Sequence, residues 1–464
     1  MLSIQFLGAA GTVTGSKHLV RLGDDKELLV DCGLFQGAKE WRERNWQPLP
    51  VNSKNIEHLV LTHAHLDHVG WVPRLYAEGF RGPVICTQAT QDLAKVVLPD
   101  SGHLQEEEAA FANKKGFSKH KVALPLYTLK QAQECLSLFT PRPFHDDFKV
   151  GNDVTCRFLH AGHILGSGFI KMHVQGKKIL WSGDLGRLRT SPEEQAEDPI
   201  PEHVLDADYL VLESTYGNRL HSKEDPRPKL AEILHHAREV RGSVVIPAFA
   251  VERTEKLMCM IKSLMEKGQA PRMPVFVDSP MALQAVEIFT RHSEEYDFKT
   301  RRLIQQFGGP ESWPEFHFCK TREESMAINS VKEPHVIISA SGMLTGGRVL
   351  HHLERRVSDP NATVLFVGFQ APGSRGQLME SGRPTIRFFG QELPIRCRIE
   401  VLDQFSDHAD YEEILTWLRN FKRAPTRTFL VHGEPAGAQA LQQRIVETFK
   451  WDVHIAQYLE TVNL

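Results

Sequence analysis

The sequence predicts an α/β protein of more than one domain, and three observations predict it. The chain has 464 residues, enough for about three domains at ~150 residues each, or for two large ones. Its first half opens with short alternating apolar runs, SIQFLG, KHLVRLG and ELLVDCG, the period-two signature of strands with one buried face. After residue 208, near-continuous apolar strands alternate with segments of helical period. That rhythm predicts a mainly parallel sheet covered by helices on both faces.

The second and third opening runs are separated by Gly23-Asp24-Asp25, a hairpin-type turn signal. HLVLT at 58–62 reads as the next strand, VGWVPRLYAEG as a helix, PVICT as a strand, and a longer helix opens at about Gln88. TCRFLHA, GFIKMHV and KKILWSG complete the strand-rich part. Beyond it come YLVLEST, SVVIPAF, MPVFVDSP, HVIISAS and TVLFVGF, with helices predicted over 227–240, 252–266, 281–291 and 348–356. Two strands, CRIEVLD and TRTFLVHG, mark the last stretch.

Composition narrows the function. At 41% hydrophobic and 24% charged, the chain is in the globular range. No apolar run approaches the ~18 residues of a membrane span, and no basic stretch precedes the short apolar start. The expectation is neither export nor a membrane partner. Seven cysteines, odd in number and never in CxxC spacing, argue against a disulfide framework and against thiolate zinc, and predict a cytoplasmic protein. The net charge of −3 gives no bulk attraction for a polyanion, so a nucleic acid must be held by a local patch or by metal ions. The 23 histidines are the conspicuous excess, and histidine is the commonest protein ligand of transition metals.

Residues 61–70 read LTHAHLDHVG, which puts His63, His65, Asp67 and His68 after an apolar strand and at the mouth of a helix. In an extended segment His63 and His65 project from the same side, while Asp67 and His68 lie where the chain turns. Two adjacent ions can share such a loop. A merely solvated loop is the plainer alternative, but clustered imidazoles beside an acid bring no packing benefit. Further ligands are available at strand ends: His163 in HAGHILGS, Asp184 in WSGDLGR and His432 in FLVHGEP. An Asp carboxylate can bridge two metals, which suits Asp184. His160 is expected to be a satisfied strand histidine, and His351 and His352 to be surface or core residues of a helix.

The HxHxDH motif, the later single His, the bridging Asp and the early Asp31 of LLVDCG together resemble the metallo-β-lactamase superfamily. Glu213 in LESTYGNR, His408 in FSDHADY and His432 in VHGE are similar to motifs A, B and C of its β-CASP branch of nucleic-acid-processing nucleases, motif C as His being the form of the RNA-processing members. The resemblance spans nearly the whole chain. It implies an αββα sandwich with an inserted β-CASP domain, expected over 209–395, the sandwich occupying 1–208 and 396–464. Asp184 and His408 lie far apart in the chain, so a closed site requires the parallel-sheet block to leave the first domain and return. Two departures from the family pattern are Glu252 in PAFAVERTEKL and Pro372 in GFQAPGSRGQ.

The resemblance implies a metal-dependent ribonuclease acting on single-stranded RNA, with two divalent ions, zinc being the best match to the nitrogen and oxygen donors. His63, His65 and His163 are assigned to one ion, Asp67, His68 and His432 to the other, and Asp184 to both. Asp67 also orients the nucleophile, His408 acts as general acid held by Glu213, and Asp31 supports the ligand loop. The products carry a 5′-phosphate and a 3′-hydroxyl. In the insert, PAFAVER, DSPMALQ, SASGMLTGGR and GFQAPGSRG place small residues where helices begin, so Arg253, Ser279, Ser341, Arg348 and Arg375 are candidate RNA-phosphate contacts; ordinary capping by the two serines and ion pairing by the arginines is the alternative. Endonuclease and 5′-exonuclease action are both open, and so is a homodimer. A small-molecule hydrolase, a DNA nuclease and an inactive RNA-binding scaffold are the competing readings.

Overall fold

The computed structural model describes all residues except 24–26, 116–121, 152, 189–200, 249–252, 296–297, 343, 345, 369 and 371–372. Asp24 and Asp25 of the expected turn, and the departures Glu252 and Pro372, therefore lie outside the described residues. The chain divides into two compact units, Met1–Leu220 with Asp407–Leu464, and His221–Ser406.

The first unit holds two seven-stranded sheets. One runs in the order Thr461–Asn463, Ser3–Phe6, His18–Arg21, Glu27–Val30, Ile56–Val60, Val84–Cys86, Phe139–Pro141. The other runs Val453–Ile455, Arg427–Val431, Tyr209–Glu213, Lys177–Trp181, Gly168–Val174, Val154–His160, Phe148–Val150. Alternate apolar residues of both sheets, among them Ile4, Phe6, Val60, Phe158, Ile170, Trp181 and Phe429, meet in one buried cluster. The period-two runs of the sequence thus face each other across a sandwich core. The opposite face of the second sheet, with Phe169, Leu180, Leu212 and Leu430, is covered by Tyr411–Leu418 and Pro435–Phe449 through Trp417, Leu441 and Ile445. Helix Gln88–Lys115 packs beside Phe139–Pro141 of the first sheet and against Leu129–Cys135, which in turn packs on Val72–Ala77.

The second unit is built on a six-stranded, all-parallel sheet ordered Phe316–Phe318, Val275–Val277, His335–Ser339, Ser243–Pro247, Thr363–Phe366, Arg398–Val401. Neighbouring residues of one strand enter different cores: Val244 and Ile246 pack with Leu257, Ile261 and Leu234, and Val245 packs with Val349, Leu353 and Met379. Burial on both faces explains the unbroken apolar runs. The predicted helices are present as Pro226–Glu239, Arg253–Glu266, Pro280–Arg291 and Val349–Arg356.

The expected limits of the insert, 209 and 395, need correction. Tyr209–Glu213 pairs in parallel with both Lys177–Trp181 and Arg427–Val431 and belongs to the sandwich. Arg398–Val401 pairs in parallel with Thr363–Phe366 and belongs to the insert. A short apolar strand carries no mark of which sheet it joins, so the boundary moves by about one strand at each end. Among the described residues, no helix is long and apolar enough to cross a membrane.

Candidate metal centre

The ligand loop is fixed by its backbone. Ser16 N donates to Asp67 O at 2.8 Å, Cys32 N to His68 O at 2.7 Å and Leu34 N to Leu66 O at 2.8 Å. Gly33 passes so close to Asp67 O that any Cβ there would overlap it. His65 precedes the short helical turn Leu66–Val69, which carries Asp67 and His68. His163 sits in the loop after Val154–His160, where its N–H donates to Ser167 Oγ at 3.0 Å. Asp184 and His432 follow Lys177–Trp181 and Arg427–Val431. Four separate segments of the first unit deliver these groups to one rim of the sandwich.

The side chains converge in two sets. His63 Nε2 lies 3.1 Å from His65 Nδ1 and 3.4 Å from Asp184 Oδ2; His163 Nε2 lies 3.1 Å from His65 Nδ1 and 3.4 Å from Asp184 Oδ2. In the second set His68 Nε2 is 3.2 Å from His432 Nε2 and 3.3 Å from Asp184 Oδ1, and His432 Nε2 is 3.3 Å from Asp67 Oδ2. Asp184 turns one oxygen to each set.

These distances fit a cation better than they fit a hydrogen-bond network. Atoms about 3.1–3.4 Å apart form the edges of a tetrahedron whose centre is roughly 2 Å from each corner, the zinc-to-nitrogen distance. Burial holds His63 and His163 below the ordinary imidazole range and His65 down at about 3, so these rings are neutral with lone pairs available. Asp184 Oδ1 is buried and accepts no hydrogen bond. Among these neutral rings lone pairs face lone pairs, which repel in a dry site unless a cation lies between them; in the second set Asp184 and Asp31 hold His68 above the ordinary imidazole range against burial, and a bound cation would take the place of that proton.

Outer contacts set the tautomers. Asp31 Oδ2 is 2.7 Å from His68 Nδ1, which leaves Nε2 for the site. Thr62 donates to Asp31 from its N–H at 2.8 Å and from Oγ1 at 3.0 Å, and its Oγ1 also lies 3.0 Å from His63 Nδ1. Ser16 Oγ donates to Asp31 at 3.2 Å, and Thr215 Oγ1 is 3.1 Å from His432 Nδ1. Asp31 is thus in direct contact with His68, one of the candidate ligands. Thr62, Ser16 and Thr215 were not anticipated, because a lone hydroxyl residue leaves no pattern in a sequence.

Glu213 and His408 also meet here. His408 Nδ1 lies 3.1 Å from Glu213 Oε2, and its Nε2 is 4.0 Å from Asp184 Oδ2. Ala409 N donates to Leu185 O at 2.7 Å, pinning the segment beside the Asp184 loop. Burial opposes charge on this ring, but the carboxylates of Glu213 and Asp184 prevail and push His408 up to about 9. The ring therefore favours its protonated form at neutral pH, next to the clustered donors.

Three stretches of the chain match known families: residues 11–231 the metallo-beta-lactamase superfamily, 254–379 the Beta-Casp domain and 392–456 the Zn-dependent metallo-hydrolase RNA specificity domain. Ribonuclease TTHA0252 of Thermus thermophilus is 35% identical over 438 residues, covering 94% of either chain. The chain belongs to the β-CASP family of the metallo-β-lactamase superfamily. Other β-CASP relatives include transcription termination factor FttA of Methanosarcina mazei, 30% identical over 95% of this chain and 68% of its own. An RNase J-like protein of Methanocaldococcus jannaschii is 28% identical, over 91% of this chain and 90% of its own. A protein of unknown function from Enterococcus faecalis shares the fold at a TM-score of 0.53 and 14% identity, over the whole of both chains. Family and donor set together make this a β-CASP metallo-hydrolase that binds divalent metal.

The insert residues stand at the carboxyl ends of the parallel strands, where helices begin, but most side chains are already engaged. Ser279 caps Pro280–Arg291 by accepting from Ala282 N. Arg348 donates to Asp278 Oδ1 at 2.8 Å and to the carbonyls of Cys319 and Lys320. Arg375 holds Leu344 O and Arg387 O. Arg253 is buried at the start of its helix, and Ser341 is half-buried after His335–Ser339. His160 ends its strand stacked on Phe144 at 3.6 Å. His352 is buried against Asp278 at 2.6 Å, and His351 is exposed.

Proposed function

We propose that this chain is a ribonuclease that hydrolyses single-stranded RNA in a metal-dependent reaction, leaving 5′-phosphate and 3′-hydroxyl ends. One observation carries the reading: Asp184 presents an oxygen to each of two histidine-rich donor sets, with the Glu213–His408 pair alongside. In this reading His63, His65 and His163 hold one ion, Asp67, His68 and His432 the other, and Asp184 both. Zinc suits the donors. Two such ions, when bound, make a water nucleophilic at neutral pH and neutralise charge on the phosphodiester.

The chain's own groups complete the reaction. Asp67 accepts a hydrogen bond from the attacking water and aligns it with the phosphorus. His408 gives the proton on its Nε2 to the departing 3′-oxygen, while Glu213 retains the Nδ1 proton and keeps the ring oriented. Asp31 fixes His68. Phosphate contact at the insert's strand ends falls to backbone N–H groups beside Ser279, Ser341, Arg253 and Arg375, since the Arg348 guanidinium is already held by Asp278. Seven buried cysteines, none in a disulfide, accord with a reducing cytoplasm.

Incubating an end-labelled RNA oligonucleotide with the protein, with and without chelator, tests the proposal. Cleavage that stops in chelator, returns with zinc and leaves 5′-phosphate ends is expected. Undiminished cleavage in chelator, or equal cleavage of a DNA oligonucleotide of the same sequence, would remove it.

A further inference from the structure

The insert carries an aromatic pair that the metal centre does not use. Phe389 and Gly390 form the two-residue loop of the hairpin between Thr385–Phe388 and Gln391–Pro394. Both have positive φ, 48° and 87°, the sign pattern of a type I′ turn, whose first position favours Asn, Asp or Gly. A bulky aromatic residue is strained there. Core packing does not explain it, because Phe389 is 43% exposed. Its ring lies flat against the exposed His351, with centroids 4.5 Å apart and planes 17° apart.

The pair stands on the rim where open α/β sheets take their ligands. Arg375 opens the helix after Thr363–Phe366; it donates to Leu344 O in the loop beyond His335–Ser339 and to Arg387 O in the hairpin. The hairpin is thereby tied to the carboxyl ends of the parallel strands. His351 lies in the first turn of Val349–Arg356. Three arginines accompany the rings. Arg355 is one helical turn from His351, Arg387 lies two residues before Phe389 and is exposed like it, and Arg322 acts electrostatically on His351 together with Arg355, Glu354 and His352. All three arginines are exposed, and none has an ion pair or a side-chain hydrogen bond among the described residues.

We propose that Phe389 and His351 form a stacking platform for an unpaired RNA base, with Arg322, Arg355 and Arg387 taking the adjoining phosphates. The proposal rests on the ribonuclease reading and names a place on the insert where that substrate is held. An exposed aromatic face with free guanidinium groups is the combination by which single strands are bound without sequence preference. Strain at the turn is tolerated because only an aromatic ring at the tip supplies that face.

Fluorescence anisotropy of a labelled single-stranded RNA oligonucleotide with the full chain, in chelator so that nothing is cleaved, tests the platform. Phe389→Asn and His351→Ala should each weaken binding about five-fold or more, the loss expected when one stacked base is released, while Phe389→Trp should retain affinity. An oligonucleotide of abasic ribose phosphates should bind wild type and Phe389→Asn equally. Phe389→Asn should also melt at or above the wild-type temperature, since Asn suits the turn, so lost binding cannot come from unfolding. Unchanged affinity for ordinary RNA in Phe389→Asn, with wild type still cleaving RNA in zinc, would overturn the platform alone and leave the pair to a protein partner. A wild-type chain that cleaves no RNA in zinc would instead remove the ribonuclease reading beneath it.

Discussion

The sandwich and the insert treat a buried aspartate at a strand end in opposite ways. Asp278 in the insert is surrounded by donors: His352 Nε2 at 2.6 Å, Ser325 Oγ at 2.6 Å and Arg348 Nη1 at 2.8 Å. Asp184 in the sandwich is equally buried, yet one of its oxygens accepts no hydrogen bond and its neighbours are imidazoles at 3.3–3.4 Å. Burial of a carboxylate is therefore no sign of a metal centre by itself. A shortage of protons among converging ligand atoms is the sign, because only a cation can then satisfy them.

The largest effect that could break this comparison belongs to Asp184. Asp184→Asn removes the charge shared by both donor sets, and the protein should lose both ions with about a thousand-fold or greater fall in hydrolysis, the several kcal/mol that bound metals supply. Elemental analysis beside an RNA cleavage assay checks it. Retention of two ions per chain by this variant would show that Asp184 is not the shared ligand.

Next in size is His408, which in the proposed mechanism protonates the leaving oxygen without belonging to either donor set. His408→Ala should retain metal and lose roughly a hundred- to ten-thousand-fold in rate. The ring is raised above the ordinary imidazole range, to about 9, by Glu213 and Asp184 against the effect of burial. A raised pKa means that the proton is present through neutral pH and is lost as pH rises through 9. Activity should accordingly fall on that alkaline side, and Glu213→Gln should move the descending limb of the pH–rate profile to lower pH. A limb that stays in place would detach Glu213 from the acid.

Asp31 comes third. Asp31→Asn leaves every ligand but loses the carboxylate that fixes His68, so metal affinity should weaken about ten- to a hundred-fold, read by competition with a chromogenic chelator. Equal weakening of both sites would show that Asp31 acts on the whole loop rather than through His68.

The convergence of the candidate ligands was legible because they are clustered or punctuated: four in HxHxDH, the others each just after an apolar strand. Glu213 and His408 were reached through family resemblance, since neither spacing nor period links residues so far apart. The edges of the fold were less legible. Phe139–Pro141, Phe148–Val150 and Thr461–Asn463 are three-residue strands, too short to show a period, and their pairing is decided by neighbours distant in sequence. Tyr209–Glu213 reads as a parallel-sheet strand and is one, but in the sandwich, because strand period reports burial and not membership. His352 shows the same limit: its place in a helix is visible in the sequence, and its pairing with Asp278 is not.

The smallest effect concerns that pair and bears on the comparison from the other side. Asp278→Asn keeps a side chain of the same shape but removes the charge that Arg348 and His352 answer, leaving buried donors poorly matched. A loss of about 1–3 kcal/mol in stability follows from such a mismatch, visible as a lower melting temperature. Metal content should not change, because every donor of Asp278 is already a proton carrier and none is a free ligand atom. If this variant also lost metal, the line between a satisfied strand-end carboxylate and a ligand-poor one would have to be drawn elsewhere.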